Sequence, residues 1–229
     1  VYTVSHDLKS PLVTASGFIG LLREDLEAGR LTEVEDSLVR LERAAVRMSQ
    51  LIDDLLELSR IGRVNREPQE VEMVRIVEGI REELGDRLRA ADADIEIVTA
   101  LPRLFVDPAR MAELLENLIT NAIKYGCPSP GAPIEVGCRQ AEEECIVFVR
   151  DQGPGIPPQY HEKIFGLFQR LDSRGEGTGV GLTIVARIMQ LYGGRVWVES
   201  EPGQGAAFCL AFPNRLVRGV TPPLKEEPE

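Results

Sequence analysis

The 229-residue sequence predicts an α+β chain. A two-helix hairpin, completed as a dimeric four-helix bundle, precedes an α/β sandwich with its sheet covered by helices on one face. Three observations predict this. Apolar residues recur at steps of three and four through residues 1–62, the period of an amphipathic helix. A polar stretch with Pro68 then breaks the period. Beyond it, short alternating or continuous apolar runs interleave with helical ones, without the strict alternation of a parallel βαβ sheet.

The first helix carries Val4, Leu8, Leu12, Ala15, Ile19, Leu22 and Leu26 and ends at Gly29. The second carries Val34, Leu38, Leu41, Ala45, Met48, Ile52, Leu55 and Leu58 and ends at Gly62. Thr32 followed by Glu35 has the spacing of a capping box. Two facing apolar stripes make a thin core, so a partner hairpin is expected to complete a four-helix bundle. The domains are therefore 1–62, the hairpin; 63–69, a linker; 70–213, the sandwich; and 214–229, a disordered tail rich in Pro and Glu.

In the sandwich, a helical pattern over Met73 to Ala90 precedes strands at Ile95–Ile97 and Leu104–Val106. Asp107-Pro108 reads as an N-cap followed by Pro at the first helical position, and the helix runs to Tyr125, where Gly126 ends it. Strands follow at Ile134–Cys138 and Ile146–Val149. After a glycine-rich loop come a helix from Val180 to Tyr192 and strands at Arg195–Glu199 and Ala207–Phe212.

A formal charge of -11 argues against binding nucleic acid through a basic face, but leaves a local nucleotide site open. No apolar run reaches the roughly 20 residues that span a bilayer. No membrane contact is expected of this piece. A helical pattern already running at residue 1 suggests a segment cut from something longer, with a sensor or membrane anchor upstream. Cys127, Cys138, Cys145 and Cys209 lack metal-ligand spacing and read as thiols of a reducing, cytoplasmic compartment.

His6 falls about 200° around the helix from Val4, on the side away from the apolar seam. Asp7 adjoins it, Ser10 lies one turn on, and Pro11 cannot donate to the Asp7 carbonyl. A nucleophilic imidazole needs one free ring nitrogen and a manager for the proton on the other. An ordinary surface histidine is the other reading. Asp151-Gln-Gly-Pro-Gly-Ile156 follows directly on an apolar strand, so a carboxylate could accept from a ligand amine while Gly153 and Gly155 let the backbone pass a flat ring. An ordinary glycine turn is the alternative. Gly175, Gly177, Gly179 and Gly181 alternate just before an apolar helix, which lets backbone amides converge on phosphate oxygens. Asn117 and Asn121 stand four residues apart, with Lys124 one turn further, and an amide with phosphates and water can hold magnesium. A solvated polar stripe would look the same. His161 reads as an exposed helix residue.

Together these segments resemble the sensor histidine kinase family of two-component signalling over roughly residues 1 to 213. Val4-Ser-His-Asp-Leu-Lys-Ser-Pro-Leu12 is similar to its phosphoacceptor box, Glu116 to Tyr125 to its asparagine box, and Asp151 to Ile156 to its first glycine box. Ile164 to Arg170 resembles its phenylalanine box and Gly177 to Leu182 its second glycine box. The segment from Arg195 to Gly205 looks like one found beside phytochrome-like sensors.

The resemblance implies a dimerisation and phosphotransfer hairpin joined to a Bergerat-fold ATP-binding domain. It implies that His6 takes the γ-phosphoryl group of ATP, with Asp7 managing the proton and Ser10 beside it. Asn121, aided by Asn117, would hold magnesium. Lys124, Tyr125, Asp151, Gly153, Gly155, Ile156, Phe168, Gly177, Thr178, Gly179, Val180, Gly181 and Leu182 would surround the nucleotide, Asp151 reading the adenine amino group. Phe165 and Phe168 would anchor a mobile lid over ATP, kept short by the few residues from Leu171 to Glu176. The implied partners are a second copy of the chain and the receiver domain of a response regulator, whose aspartate accepts the phosphoryl group. Where family members with efficient phosphatase activity carry Thr or Asn, this chain has Ser10, so kinase activity is the firmer expectation. The rivals are a non-catalytic dimeric switch and an ATPase like the chaperone and topoisomerase relatives of the fold, which lack a His-bearing hairpin.

Overall fold

The computed structural model describes residues 2–61, 67–127, 131–171 and 178–221, with the side chains of 2–11 and 47 outside the described set. Two compact units emerge, one comprising Val1–Arg60 with Gly166–Val180 and the other Ile61–Phe165 with Gly181–Glu229.

In the first unit, α1 (Tyr2–Glu27) and α2 (Leu31–Arg60) form the hairpin. Gly29 turns the chain at φ 71°, where glycine carries no steric penalty. Arg30 donates its backbone N–H to the Asp25 carbonyl at 2.9 Å and pairs its guanidinium with the Asp25 carboxylate at 2.6 Å. The helix begins at Leu31, so Thr32 stands inside its first turn and is not the N-cap that the Thr32–Glu35 spacing suggested.

The seam also differs from the sequence expectation. Ala15, Phe18, Leu22 and Asp25 on α1, with Val34, Ser37, Leu41, Ala44, Met48, Leu51, Asp54, Leu55, Glu57 and Leu58 on α2, are the buried or half-buried positions among the described side chains. Leu12, Ile19, Leu26, Leu38 and Ile52, expected in the same stripe, are about half exposed. The apolar stripe on each helix is wider than one neighbouring helix can cover.

In the second unit, five strands form one sheet: β2 (Asp94–Ile97), β4 (Pro133–Gln140), β5 (Glu144–Asp151), β7 (Ala206–Pro213) and β6 (Arg195–Ser200), in that spatial order. Only the β2–β4 pair is parallel. Ile134, Val136, Val147, Val149, Leu210 and Phe212 are buried on the face toward the helices α3 (Met73–Glu83), α5 (Pro108–Tyr125) and α6 (Gly181–Leu191). Met111, Leu114, Leu115, Leu118 and Ile119 of α5 are fully buried and fix its rotation. The opposite face carries Ile146, Phe148, Trp197 and Cys209, with Arg150 stacked on Phe148 and Arg195 on Trp197. Helices on one face of an α+β sheet are therefore as the sequence predicts.

Three expectations are corrected. The helix over Met73 to Ala90 is two helices, α3 and α4 (Gly85–Ala90), broken where Leu84 leaves helical dihedrals. A second sheet, unforeseen, joins β1 (Gln69–Glu72), β3 (Leu101–Val106) and β8 (Val217–Thr221) in the order β1-β3-β8. The expected disordered tail from residue 214 therefore contains a paired strand. Arg103 bonds Glu70 at 2.7 Å and Arg218 covers Phe105, which ties both outer strands to β3.

Candidate functional site

The site is built from the end of α5 and the end of β5. Asp107 caps α5 by accepting from the Ala109 N–H at 2.9 Å, and its own N–H donates to the Tyr192 hydroxyl at 3.0 Å. The buried apolar face of α5 leaves Asn117, Asn121 and Lys124 along its other side. Asn117 donates to the Glu113 carbonyl at 2.8 Å, and its Oδ1 lies against Gly181 so closely that a Cβ there would sit 2.5 Å away. The amide oxygen of Asn117 thus faces the first residue of α6. Among the described residues, the side-chain amide of Asn121 has no hydrogen-bond partner. Tyr125 is half exposed.

Asp151 ends β5 and is 8% exposed. Burial pushes its carboxyl above the ordinary carboxylate range, against the backbone amides of Gly153 and Ala206, which pull it down. Its Oδ1 accepts the Gly153 N–H at 2.8 Å. The loop after it is laced to its surroundings by backbone bonds. Gln152 donates to Gly126, Gly205 to the Gly153 carbonyl at 3.0 Å, and Gly203 to Pro154 at 2.7 Å. Ile156 donates to Ser200 Oγ at 2.8 Å, and Ser200 donates on to the Gly205 carbonyl at 2.6 Å.

His161 is half-buried and donates from Nε2 to the Ile156 carbonyl at 2.8 Å, so it braces this loop and is not the exposed helix residue expected. A side chain on Gly153 would strike the Tyr125 carbonyl, 2.6 Å from its Cβ, and one on Gly155 or Gly205 would strike Glu201 or Asp151 backbone. These glycines are needed for close packing of loop on loop.

In the first unit, Phe168 adopts φ 60° and Gly179 φ 77°. A Cβ on Gly179 would lie 2.9 Å from the Phe168 carbonyl carbon. A left-handed backbone at a bulky aromatic costs on the order of 1–3 kcal/mol and concentrates at functional segments. The Thr178 hydroxyl donates to the Asp54 carboxylate.

Residues 106–216 match the family described as histidine kinase-, DNA gyrase B- and HSP90-like ATPase, and residues 1–63 match the His Kinase A (phospho-acceptor) domain. The chain belongs to the sensor histidine kinases. This kinase core is 45% identical over 213 residues to the methanogenesis regulatory histidine kinase FilI of Methanothrix harundinacea (strain 6Ac), covering 93% of the chain and 24% of FilI. It is 38% identical over 217 residues to cyanobacterial phytochrome B of Nostoc sp. (strain PCC 7120), covering 92% of the chain and 28% of the phytochrome. The core thus spans about a quarter of the length of these relatives. Its fold resembles that of the histidine kinase ThkA solved in complex with the response regulator protein TrrA, with a TM-score of 0.65 and 22% identity, covering 93% of this chain and 60% of that one.

Within the second unit of this kinase core, Asn117, Asn121, Lys124 and Tyr125 lie on α5, Asp151 ends β5, Gly153, Gly155 and Ile156 follow in the loop after it, and Gly181 and Leu182 open α6. Phe168, Thr178, Gly179 and Val180 belong to the first. Gly177 lies outside the described residues, as do the side chains of His6, Asp7 and Ser10, whose backbone is helical in α1. The sequence reading missed Gly126, Ser200, Gly203 and Gly205. The glycines were visible as turn residues, but nothing local to them points across the chain to Asp151. Among the described residues, no helix is long and apolar enough to cross a membrane.

Proposed function

We propose that this chain binds ATP in its second unit and transfers the γ-phosphoryl group to His6, from which it passes to an aspartate on the receiver domain of a response regulator. The observation that carries the reading is Asp151, a buried carboxylate at a strand end whose position is set by backbone bonds from both flanking loops. Burying a carboxylate is costly unless a partner uses it, and the adenine amino group is a donor of matching chemistry.

The phosphates would lie toward α5 and the amides that open α6, since helix N-termini favour anions. Asn121, with Asn117 beside it, would hold magnesium, which accepts a small set of oxygen donors and keeps water. When bound, the ion neutralises charge on the phosphate oxygens. Lys124 adds a cation. At His6, one ring nitrogen attacks the γ-phosphorus as its bond to the ADP oxygen breaks, and Asp7 holds the proton of the other nitrogen. Phosphoryl transfer needs mainly positioning and charge stabilisation, which these residues supply.

The exposed apolar positions Leu12, Ile19, Leu26, Leu38 and Ile52 support a second hairpin as dimer partner. ThkA, which shares this fold, was solved with a response regulator; a receiver domain is the corresponding partner proposed here. The test is incubation of the chain and His6→Gln with γ-labelled ATP and magnesium. Acid-labile, base-stable label in the parent alone supports the reading. Equal label in both, or no label in the parent with ATP bound, overturns it.

A further inference from the structure

Away from the Asp151 loop, β4 and β5 form a hairpin closed by Ala141 donating to the Glu144 carbonyl at 2.8 Å. In its register Cys138 faces Val147 and Gln140 faces Cys145. Cys138 and Cys145 are therefore diagonal neighbours on one face of the sheet. Their sulfurs are 2.8 Å apart, closer than non-bonded sulfurs normally sit and within 1 Å of the disulfide bond length of about 2.05 Å. Both are free thiols.

The two differ in what reaches them. Cys145 is fully buried, whereas Cys138 is half-buried near the end of β4, beyond the last residue paired with β2. The Thr99 hydroxyl accepts the Cys138 N–H at 2.6 Å and donates to the Cys138 carbonyl at 3.1 Å, which fixes the backbone there. Either sulfur can donate in this contact. That bond pulls the Cys138 thiol below its ordinary range and pushes Cys145 far above it. The other two cysteines are unlike this pair. Cys209 faces the opposite side of the sheet and is pushed up to about 12 by burial, and burial also raises Cys127.

We propose that Cys138 and Cys145 are an oxidisable dithiol, in which Cys138 reacts with hydrogen peroxide and Cys145 resolves the product as an internal disulfide. The Cys138 thiolate sulfur attacks one peroxide oxygen, the O–O bond breaks, and hydroxide leaves and takes up a proton as water. Cys138 is then a sulfenic acid. The Cys145 sulfur attacks the Cys138 sulfur, the S–S bond forms, the S–O bond breaks and a second water leaves. Two thiols are oxidised and one peroxide is reduced to two waters. Disulfides of this kind in reducing compartments are transient and redox-sensing. Cys145 lies six residues along β5 from Asp151, a span of about 20 Å, so the linkage forms without reshaping the nucleotide loop.

The test treats the whole reduced chain with stoichiometric hydrogen peroxide, blocks remaining thiols with a maleimide, and maps peptides by mass. The expected product has lost two hydrogens and holds the Cys138 and Cys145 peptides together until dithiothreitol is added, with Cys138 alkylation lowered about tenfold. Cys145→Ala should stop at a dimedone-reactive sulfenic acid on Cys138. Cys209→Ser should still form the link, which separates loss of the pair from a general folding defect. A link that persists in Cys138→Ser, a link between two copies only, or full alkylation of both thiols after peroxide would overturn the proposal.

Discussion

Asp151 rests directly on Gly126: a Cβ added to that glycine would lie 2.5 Å from the Asp151 Cγ. The helix carrying the asparagines ends where the strand carrying the carboxylate ends, and the missing side chain lets them touch. Gly126→Ala should cost about 1–3 kcal/mol by overpacking and weaken ATP binding as Asp151 is pushed aside. Urea unfolding and titration with a fluorescent ATP analogue would check both, and unchanged affinity would count against the contact's role.

Asp151→Asn separates stability from function. Burial raises the Asp151 pKa above its unfolded value of 3.8, so the native state holds that proton more tightly. The stability this contributes is present in acid and is lost as pH rises through the raised value. Asn cannot ionise, so the variant should unfold no earlier than the parent at neutral pH and match it in acid. Its ATP affinity should fall by roughly 10–100-fold, the worth of a hydrogen bond to a charged group. Thermal melts at both pH values, set beside calorimetric ATP titration, read the two effects.

Ser200→Ala removes the acceptor of the Ile156 N–H and the donor to the Gly205 carbonyl. A loss of about 1–2 kcal/mol in stability and a looser nucleotide loop should follow. A raised KM for ATP with kcat little changed would mark the loop, rather than the phosphoryl transfer, as what Ser200 holds.

Tyr192→Phe leaves the Asp107 N–H without its partner at the start of α5. Chemical denaturation should show about 1 kcal/mol of destabilisation, with ATP affinity close to that of the parent.

Ile19→Glu and Leu38→Glu place charge on half-exposed apolar positions outside the hairpin's own seam. Light scattering should shift from two chains to one. A mass unchanged by both substitutions would contradict the bundle.

The long elements were legible because their signals are local. Asp107-Pro108 opens α5 and Gly126 ends it, as their residue types require. Leu12 and Ile19 follow the same period as Leu22, and periodicity alone cannot divide one stripe between two neighbours. Strand β1 offers one buried residue, Val71, and β8 carries Gly219 at its centre, so neither alternates enough to be seen. The nucleotide loop was visible from Asp151 and its glycines. Its supports were not, because Ser200, Gly205 and His161 reach it through bonds to backbone, which leave no mark on spacing.

The small sheet has a mechanical meaning. Strands β1 and β8 both run antiparallel to β3, with Gln69 opposite Val106 and Thr221 opposite Leu101. Tension applied through Gln69 and Thr221 therefore slides the outer strands past β3 in opposite directions. All the ladder bonds are then stretched in shear at once, and none can be peeled away singly. A pull along the chain would meet its resistance here, in three short strands far apart in sequence.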